Sequence, residues 1–136
     1  MISLRIGAMK LHFRKLTVWH RAMEFAEEVY RLARFLPREE TFGVRLQLTR
    51  SATSVAANIA EGWTREHPKE KGQFLAVAQG SLAEAETYLE LCTRLTWIPA
   101  GELVLSLEQA VELNKMLTTM RRKTREISSR KAPQAD

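Results

Sequence analysis

The chain has 136 residues, 45% of them hydrophobic, which is enough to bury one continuous core in a single domain. Its one cysteine excludes an intramolecular disulfide and argues against a zinc cluster. No apolar run approaches the ~18 residues of a membrane span, and residues 1–8 are too short and interrupted for a secretory signal. We therefore expect a cytoplasmic protein that does not bind membranes. The net charge of +5 is modest but concentrated toward the chain ends.

The first helical pattern follows segment 1–12, which we expect to be a flexible extension. The helix is predicted to start at Thr17, a candidate N-cap, and to end at Leu36 because Pro37 follows. One apolar stripe faces the core, with Val18, Ala22, Phe25, Val29, Leu32 and Leu36. A second stripe makes the apolar face wider than a solvated bundle helix needs. We assign it to contacts between subunits, through Trp19, Met23, Ala26 and Tyr30.

The second helix, predicted over residues 41–65, carries an apolar seam beside a polar stripe. The seam contains Leu48, Ala52, Val55, Ile59 and Gly62. The polar stripe contains Ser51, Ser54, Asn58 and Glu61. Two interpretations are open for the stripe. It forms hydrogen bonds to the third helix, at Ser81 or Glu84, and fixes the packing, or it lines a pocket for a ligand. We favour the first, because buried polar groups need partners and such networks specify one arrangement.

The third helix, predicted over residues 69–95, has apolar residues at coiled-coil spacing. They are Leu75, Ala78, Leu82, Ala85, Leu89 and Cys92. The fourth helix should begin with Pro99 in its first turn. Its predicted core residues are Leu103, Leu107, Ala110, Leu113, Leu117 and Met120. Short loops join antiparallel neighbours, so residues 13–126 are predicted to form an all-α, antiparallel up-down-up-down four-helix bundle. Residues 127–136 lack an apolar stripe and are predicted to be a basic, disordered tail.

Catalytic machinery is not evident in the sequence. His20 and Glu24 share a helix face, but no further ligands are in reach, so we expect an exposed pair and no metal site. Glu84, Glu86 and Glu90 are interpreted as a solvated or salt-bridged face. With no candidate nucleophile and no phosphate-binding glycine loop, we expect a protein that is not an enzyme and uses no cofactor.

The strongest indication of a binding function is a cluster of basic residues. Arg121, Arg122, Lys123 and Arg125 crowd the end of the fourth helix and would attract phosphate. A solvated helix end is the alternative, favoured for one chain since cations there complement the helix dipole, whereas assembly of several copies favours nucleic acid. At the end of the second helix, Trp63 beside Arg65 is a candidate for stacking on a base. Alternatively, this tryptophan packs across a loop.

Four motifs carry a resemblance that spans about residues 13–123. They are Leu16-Thr17-Val18-Trp19, Phe35-Leu36-Pro37-Arg38-Glu39-Glu40, Asn58-Ile59-Ala60-Glu61-Gly62 and Gly80-Ser81-Leu82-Ala83-Glu84. In this order they resemble the bacterial four-helix bundle proteins encoded in intervening sequences of 23S ribosomal RNA genes. That family usually has a glycine or serine shortly after the third motif and a glycine before the last loop. This chain has Thr64 and Thr96 there, so the resemblance does not fix the geometry of these loops.

The resemblance implies a homopentamer, and similarity to the accessory proteins of diversity-generating retroelements, which are basic pentamers that bind a reverse transcriptase and nucleic acid. Five copies would carry a charge of about +25, and RNA binding to such a surface would weaken steeply with salt. We therefore predict a non-enzymatic homo-oligomer that binds RNA or a ribonucleoprotein partner through basic surfaces. The alternative is a protein-interaction scaffold that does not bind nucleic acid.

Overall fold

A computed structural model of the chain describes residues 13–131, and over this range it contains four α-helices and no strand. The helices are α1 Thr17–Ala33, α2 Val44–Trp63, α3 Pro68–Arg94 and α4 Val104–Lys131. Short 3-10 turns precede three of them, at Phe13–Lys15, Arg38–Glu40 and Ala100–Leu103. The predicted all-α four-helix bundle is confirmed. No helix in this part of the chain has the length and apolar character to cross a bilayer.

Each helix packs against two others around one core. Ser54 on α2 contacts Ser81 on α3, whereas Gly62, later in α2, lies against Phe74, earlier in α3. The α3–α4 and α1–α4 contacts likewise run in opposite chain directions. For α1 and α4 these contacts are Arg21–Glu112 and Arg31–Glu102. For α3 and α4 they are Gly72–Thr124 and Gln79–Asn114.

The predicted core stripes of the first three helices are buried at every position. On α4 the prediction was wrong at Leu107, which is 51% exposed. Ser106 takes that core position at 1% exposure, because its hydroxyl donates to the Leu103 carbonyl at 3.0 Å and can therefore be buried. Met120 is partly buried and packs against the core.

The helix ends differ from the predictions by a few residues. Leu16 occupies the N-cap of α1, so Thr17 is the first helical residue and not the cap. The helix ends at Ala33, three residues before Leu36, because the residues before Pro37 leave the α conformation through tighter, 3-10-type hydrogen bonds. The non-helical backbone of Gly43 delays α2 to Val44.

The last helix runs further than predicted. It continues to Lys131, so residues 127–131 of the predicted disordered tail are helical. This segment still has a neighbour, because the first turns of α3 lie beside it and Lys69 and Ser128 line the same groove. The predicted extension 1–12 and residues 132–136 lie outside the described residues.

Candidate nucleic-acid interface

A groove of about 530 Å³ lies between the start of α3 and the end of α4, and we call it the α3–α4 groove. Its lining from α3 is Lys69, Gly72, Gln73 and Ala76, and its lining from α4 is Arg121, Thr124, Arg125, Ser128 and Ser129. Three side chains of this lining are cationic and three carry hydroxyls. Within residues 13–131, no carboxylate lines the groove. The groove is therefore chemically suited to an anion.

Two features of the sequence produce this groove, the helical spacing of the α4 residues and the glycine at position 72 of α3. Arg121, Arg125 and Ser128 share a face of α4 because they are four and three residues apart. A Cβ added at Gly72 would lie 2.8 Å from the Thr124 Oγ1, so the glycine lets the two helices approach closely. Thr124 is buried there, and its hydroxyl donates to the Arg121 carbonyl at 2.8 Å. The close packing of Gly72 and Thr124 thus joins the two helices, and Lys69, Arg121 and Arg125 line the groove beside it.

Two of the four predicted phosphate contacts line the groove. Arg121 is half-buried and donates from Nη1 to the Gln79 Oε1 at 2.7 Å, whereas Arg125 is exposed. Arg122 and Lys123 are exposed elsewhere on α4, and Arg122 lies 3.9 Å from Glu126. Among the described residues, neither Arg125 nor Lys123 forms an ion pair with a carboxylate.

Sequence reasoning missed Lys69 and Gln79. Both lie on the side of α3 that faces α4, at three residues before and seven residues after Gly72. Helical spacing from Gly72 would have placed them on one face, but only the register between α3 and α4 shows that Arg121 lies opposite.

The structure does not present Trp63 as an exposed stacking surface, which corrects that prediction. The indole is partly buried against the core, and the Lys71 ammonium lies 4.7 Å from its ring centroid. Lys71 also donates to the Trp63 carbonyl at 3.2 Å, so Trp63 packs across the loop between α2 and α3. Arg65 is exposed, pairs with Glu61 at 3.3 Å and lies 4.9 Å from the Phe74 ring centroid.

The polar stripe of α2 forms an interhelical contact at part of its length. The hydroxyls of Ser54 and Ser81 are 2.9 Å apart, and the Asn58 amide donates to the Ser54 hydroxyl at 2.9 Å. The buried Ser51 instead donates to the Leu48 carbonyl of its own helix. The remaining predicted members, Glu61 and Glu84, are exposed and lie outside this network. The interhelical contact thus joins two short hydroxyl side chains, whereas the longer acids are exposed to solvent.

The predicted subunit-contact residues divide into two groups. Ala26 is buried in the chain's own core, and Trp19 packs partly against that core with its ring centroid 5.2 Å from that of Phe13. Met23 and Tyr30 are 39% and 54% exposed and remain available to a partner. Another apolar surface, which the sequence did not predict, is a half-exposed stripe on α4. Its members are Val104, Leu107 and Val111.

Other titratable groups of the described residues, His20, Glu24 and Cys92, have partners of their own or are buried. The predicted His20–Glu24 pair is absent, because His20 donates to the Arg14 carbonyl at 2.6 Å and Glu24 pairs with Arg21 at 3.2 Å. Within residues 13–131, no group of three His, Cys, Asp or Glu side chains could hold a metal ion. Cys92 is buried as predicted, and this burial raises the pKa of its thiol.

Comparisons with known proteins agree with this architecture. A crystal structure at 1.70 Å of a protein with unknown function, from the S23 ribosomal protein family of Bacteroides thetaiotaomicron, is 29% identical to this chain. Its TM-score is 0.71, and the match covers 77% of this chain and 98% of that one. No curated protein sequence matches the chain. The model of the 23S rRNA-intervening sequence proteins matches residues 14–119. Since this match spans most of the bundle, the chain belongs to the 23S rRNA-intervening sequence protein family.

Proposed function

We propose that this protein is a non-enzymatic, self-associating bundle that binds RNA, free or within a ribonucleoprotein, through the basic end of α4. The α3–α4 groove is the observation that supports this proposal, because cations and hydroxyls converge there without a lining carboxylate. Arginine, lysine, serine and threonine side chains are among those that contact phosphate oxygens in protein–nucleic acid complexes. The groove is therefore suited to a nucleic-acid backbone.

The position of the groove in the bundle also supports the proposal. Residues 16–18, at the start of α1, lie beside residues 115–120 of α4, so the last three turns of α4 extend past α1. The first turns of α3 lie beside this overhang, where Gly72 meets Thr124. A helix end exposed on several sides can follow an RNA backbone with Arg122 and Lys123 as well as with the groove residues.

The family comparison supports the proposal only indirectly. The description of the family refers to 23S rRNA, and that of the Bacteroides protein refers to ribosomal proteins and states an unknown function. The family match ends at residue 119, before the basic cluster begins. The proposed RNA contacts at Arg121, Arg122, Lys123 and Arg125 therefore lie outside the matched residues.

The test is binding of a structured RNA hairpin across a salt series. We compare the wild type with a variant in which Arg121, Arg122, Lys123 and Arg125 are all changed to Gln. The variant should bind at least ~10-fold more weakly near 0.1 M salt and show a shallower salt dependence, since each lost phosphate contact removes roughly 0.7–0.9 from the slope.

A matched control removes four exposed arginines elsewhere, Arg34, Arg38, Arg50 and Arg94, again by change to Gln. It lowers the net charge equally but leaves the end of α4 intact, so its salt slope should stay near that of the wild type. Equal affinity and slope for the wild type and the α4 variant would contradict RNA binding at this site.

A protein-interaction scaffold is the second candidate, favoured by the exposed apolar stripe of Val104, Leu107 and Val111 at the other end of α4. Such contiguous apolar surface is often an interaction site. Purification from nuclease-treated lysate separates the two functions. A scaffold keeps a stoichiometric protein partner without RNA and loses it when Leu107 and Val111 are changed to Ser. If the wild type and the Ser variant are both recovered without a protein partner, the scaffold function is contradicted.

A further inference from the structure

Gln79 on α3 fixes the position of Arg121 on α4 through a hydrogen bond between the two helices. The Arg121 Nη1 donates to the Gln79 Oε1 at 2.7 Å. Because a guanidinium has no acceptor, Gln79 has to present its carbonyl oxygen to it. The Gln79 Nε2 then donates to the Asn114 Oδ1 at 2.9 Å and to the Thr118 Oγ1 at 3.0 Å. Both ends of the Gln79 amide are thereby held, and its orientation is determined.

This arrangement leaves most of the Arg121 guanidinium free for a ligand. One of its five N–H groups is used on Gln79, and the side chain is already oriented before anything enters the groove. A side chain that is fixed in advance loses less conformational entropy on binding, which strengthens the interaction. The half-buried Arg121 is also less hydrated than a fully exposed cation, so its attraction to an anion is screened less.

The rest of the groove matches the same ligand chemistry. Lys69 and Arg125 are exposed beside Arg121, and Ser128 and Ser129 add hydroxyl donors. The Thr124 hydroxyl already donates to a backbone carbonyl, so it offers only acceptor capacity. Three cations and two free hydroxyls suit a phosphate group rather than a neutral ligand. The groove volume of about 530 Å³ also falls within the range of small-molecule sites.

We propose that the α3–α4 groove is a phosphate-binding subsite in which Gln79 acts as the positioning residue for Arg121. This inference rests on the proposed function in one respect, since RNA is taken as the source of the phosphate. A free phosphate compound presents the same chemistry, and the experiment below separates the two sources.

The test is a double-mutant cycle with Gln79→Met and Arg121→Met, read out by affinity for the RNA hairpin. Gln79→Met should weaken binding roughly fivefold, because Arg121 stays but is no longer held. Arg121→Met should weaken it at least ~10-fold. In the Arg121→Met background, the change at Gln79 should have no further effect. A structural role alone would give the same factor in both backgrounds, and that result overturns the assignment, as does wild-type affinity for Gln79→Met.

Two further variants keep the cycle interpretable. Gln47→Met changes an exposed glutamine in the first turn of α2 and should bind as the wild type does. If Gln79→Met does not fold, Asn114→Leu removes a partner of the Gln79 Nε2 from an exposed position and should reproduce the weakening. Unchanged affinity for Asn114→Leu would then count against Gln79 as the positioning residue.

Binding of inorganic pyrophosphate, measured by calorimetry, distinguishes the two proposals. If RNA affinity falls in the four-cation variant but not in Gln79→Met, the subsite is overturned and RNA binding stands. If pyrophosphate binds in a way that needs both Arg121 and Gln79 while RNA does not bind, the subsite stands and the proposed function fails. Loss of neither ligand in any variant overturns both.

Discussion

Thr96 is the one residue other than glycine within residues 13–131 that has a positive φ, at 64°. It follows the cap of α3 in a Schellman motif. The Trp97 amide bonds to the Cys92 carbonyl and the Thr96 amide to the Thr93 carbonyl, both at 2.9 Å. This left-handed position favours glycine, and a β-branched side chain is strained there. The family resemblance implies a glycine at the corresponding place, and this backbone conformation supplies a physical reason for it.

We expect Thr96→Gly to raise the free energy of unfolding by about 0.5–1 kcal/mol, because relief of roughly 1–2 kcal/mol of strain exceeds the added entropy of the unfolded chain. Urea denaturation measures the change. Thr64→Gly is the matched control, since Thr64 caps α2 with φ −83° and has no such strain to relieve. Equal effects of the two substitutions would contradict the strain at Thr96.

Glu86 gives a pH-dependent prediction. The side chain is half-buried on α3, and this desolvation raises the pKa of its carboxyl. A pKa that is higher in the folded state stabilises the fold below the unfolded pKa, and this contribution is lost as pH rises through the folded pKa. Glu86→Gln should therefore stabilise the protein at pH 7, by roughly 0.5 kcal/mol or less because solvent screens the charge.

The stabilisation by Glu86→Gln should shrink toward zero below the ordinary glutamate pKa of 4.5. Thermal melts from pH 3 to 8 measure the trend. Glu84→Gln, at an exposed neighbouring position, removes the same charge from a protein of net charge +5 and controls for general electrostatics. A gain for Glu86→Gln that is independent of pH would show that burial of the charge is not its cause.

At the scale of the helices, two glycines of the family motifs have opposite environments. A Cβ on Gly62 would lie 2.7 Å from the Phe74 Cβ, where α2 and α3 meet, whereas a Cβ on Gly80 would meet nothing within 4 Å. Gly62→Ala should therefore destabilise the bundle by about 1–3 kcal/mol. Gly80→Ala should stabilise it by roughly 0.5–1 kcal/mol, since alanine has the higher helix propensity. Chemical denaturation of both variants measures the difference, and a loss of stability in Gly80→Ala would contradict it.

Apolar periodicity predicted the existence, order and core faces of all four helices. It failed at Leu107 because hydrophobicity alone ranks leucine above serine, whereas the structure buries Ser106 and exposes Leu107. Ser106 can occupy the core there only because its hydroxyl finds a local carbonyl. Helix ends were also misplaced, since they depend on turn hydrogen bonds that leave little trace in composition.

The candidate site was predicted in part for a related reason. Arg121 and Arg125 stand in one sequence cluster, and their charge identifies them without a structure. Lys69 and Gln79 join them only through the register of α3 against α4, which closes a separation of more than 40 residues for Gln79 and Arg121. The local sequence shows where charged residues cluster, but it does not show which helix packs opposite them.

For the whole molecule, the two ends of α4 differ in chemistry. The carboxyl-terminal turns carry the basic overhang, and the amino-terminal turns carry the exposed apolar stripe of Val104, Leu107 and Val111. Met23 and Tyr30 leave a second apolar surface on α1. If copies associate through either apolar surface, the basic ends can stay accessible and their charges add in one particle. RNA binding would then become tighter and more dependent on salt than for one chain.

We expect copies of the chain to associate through Met23 and Tyr30 on α1. Burial of these half-exposed side chains between copies supplies an apolar driving force, so we expect the wild type to exceed 15.6 kDa in solution, with five copies giving about 78 kDa. Changing Met23 and Tyr30 to Ser should lower the mass, and the thermal midpoint should lose its dependence on protein concentration. Light scattering coupled to gel filtration measures the mass. The Leu107→Ser and Val111→Ser pair tests the other apolar surface, and if that pair alone dissociates the particle, the interface lies on α4. A wild type that is monodisperse at 15.6 kDa rules out both surfaces, because neither would then be covered by a second copy.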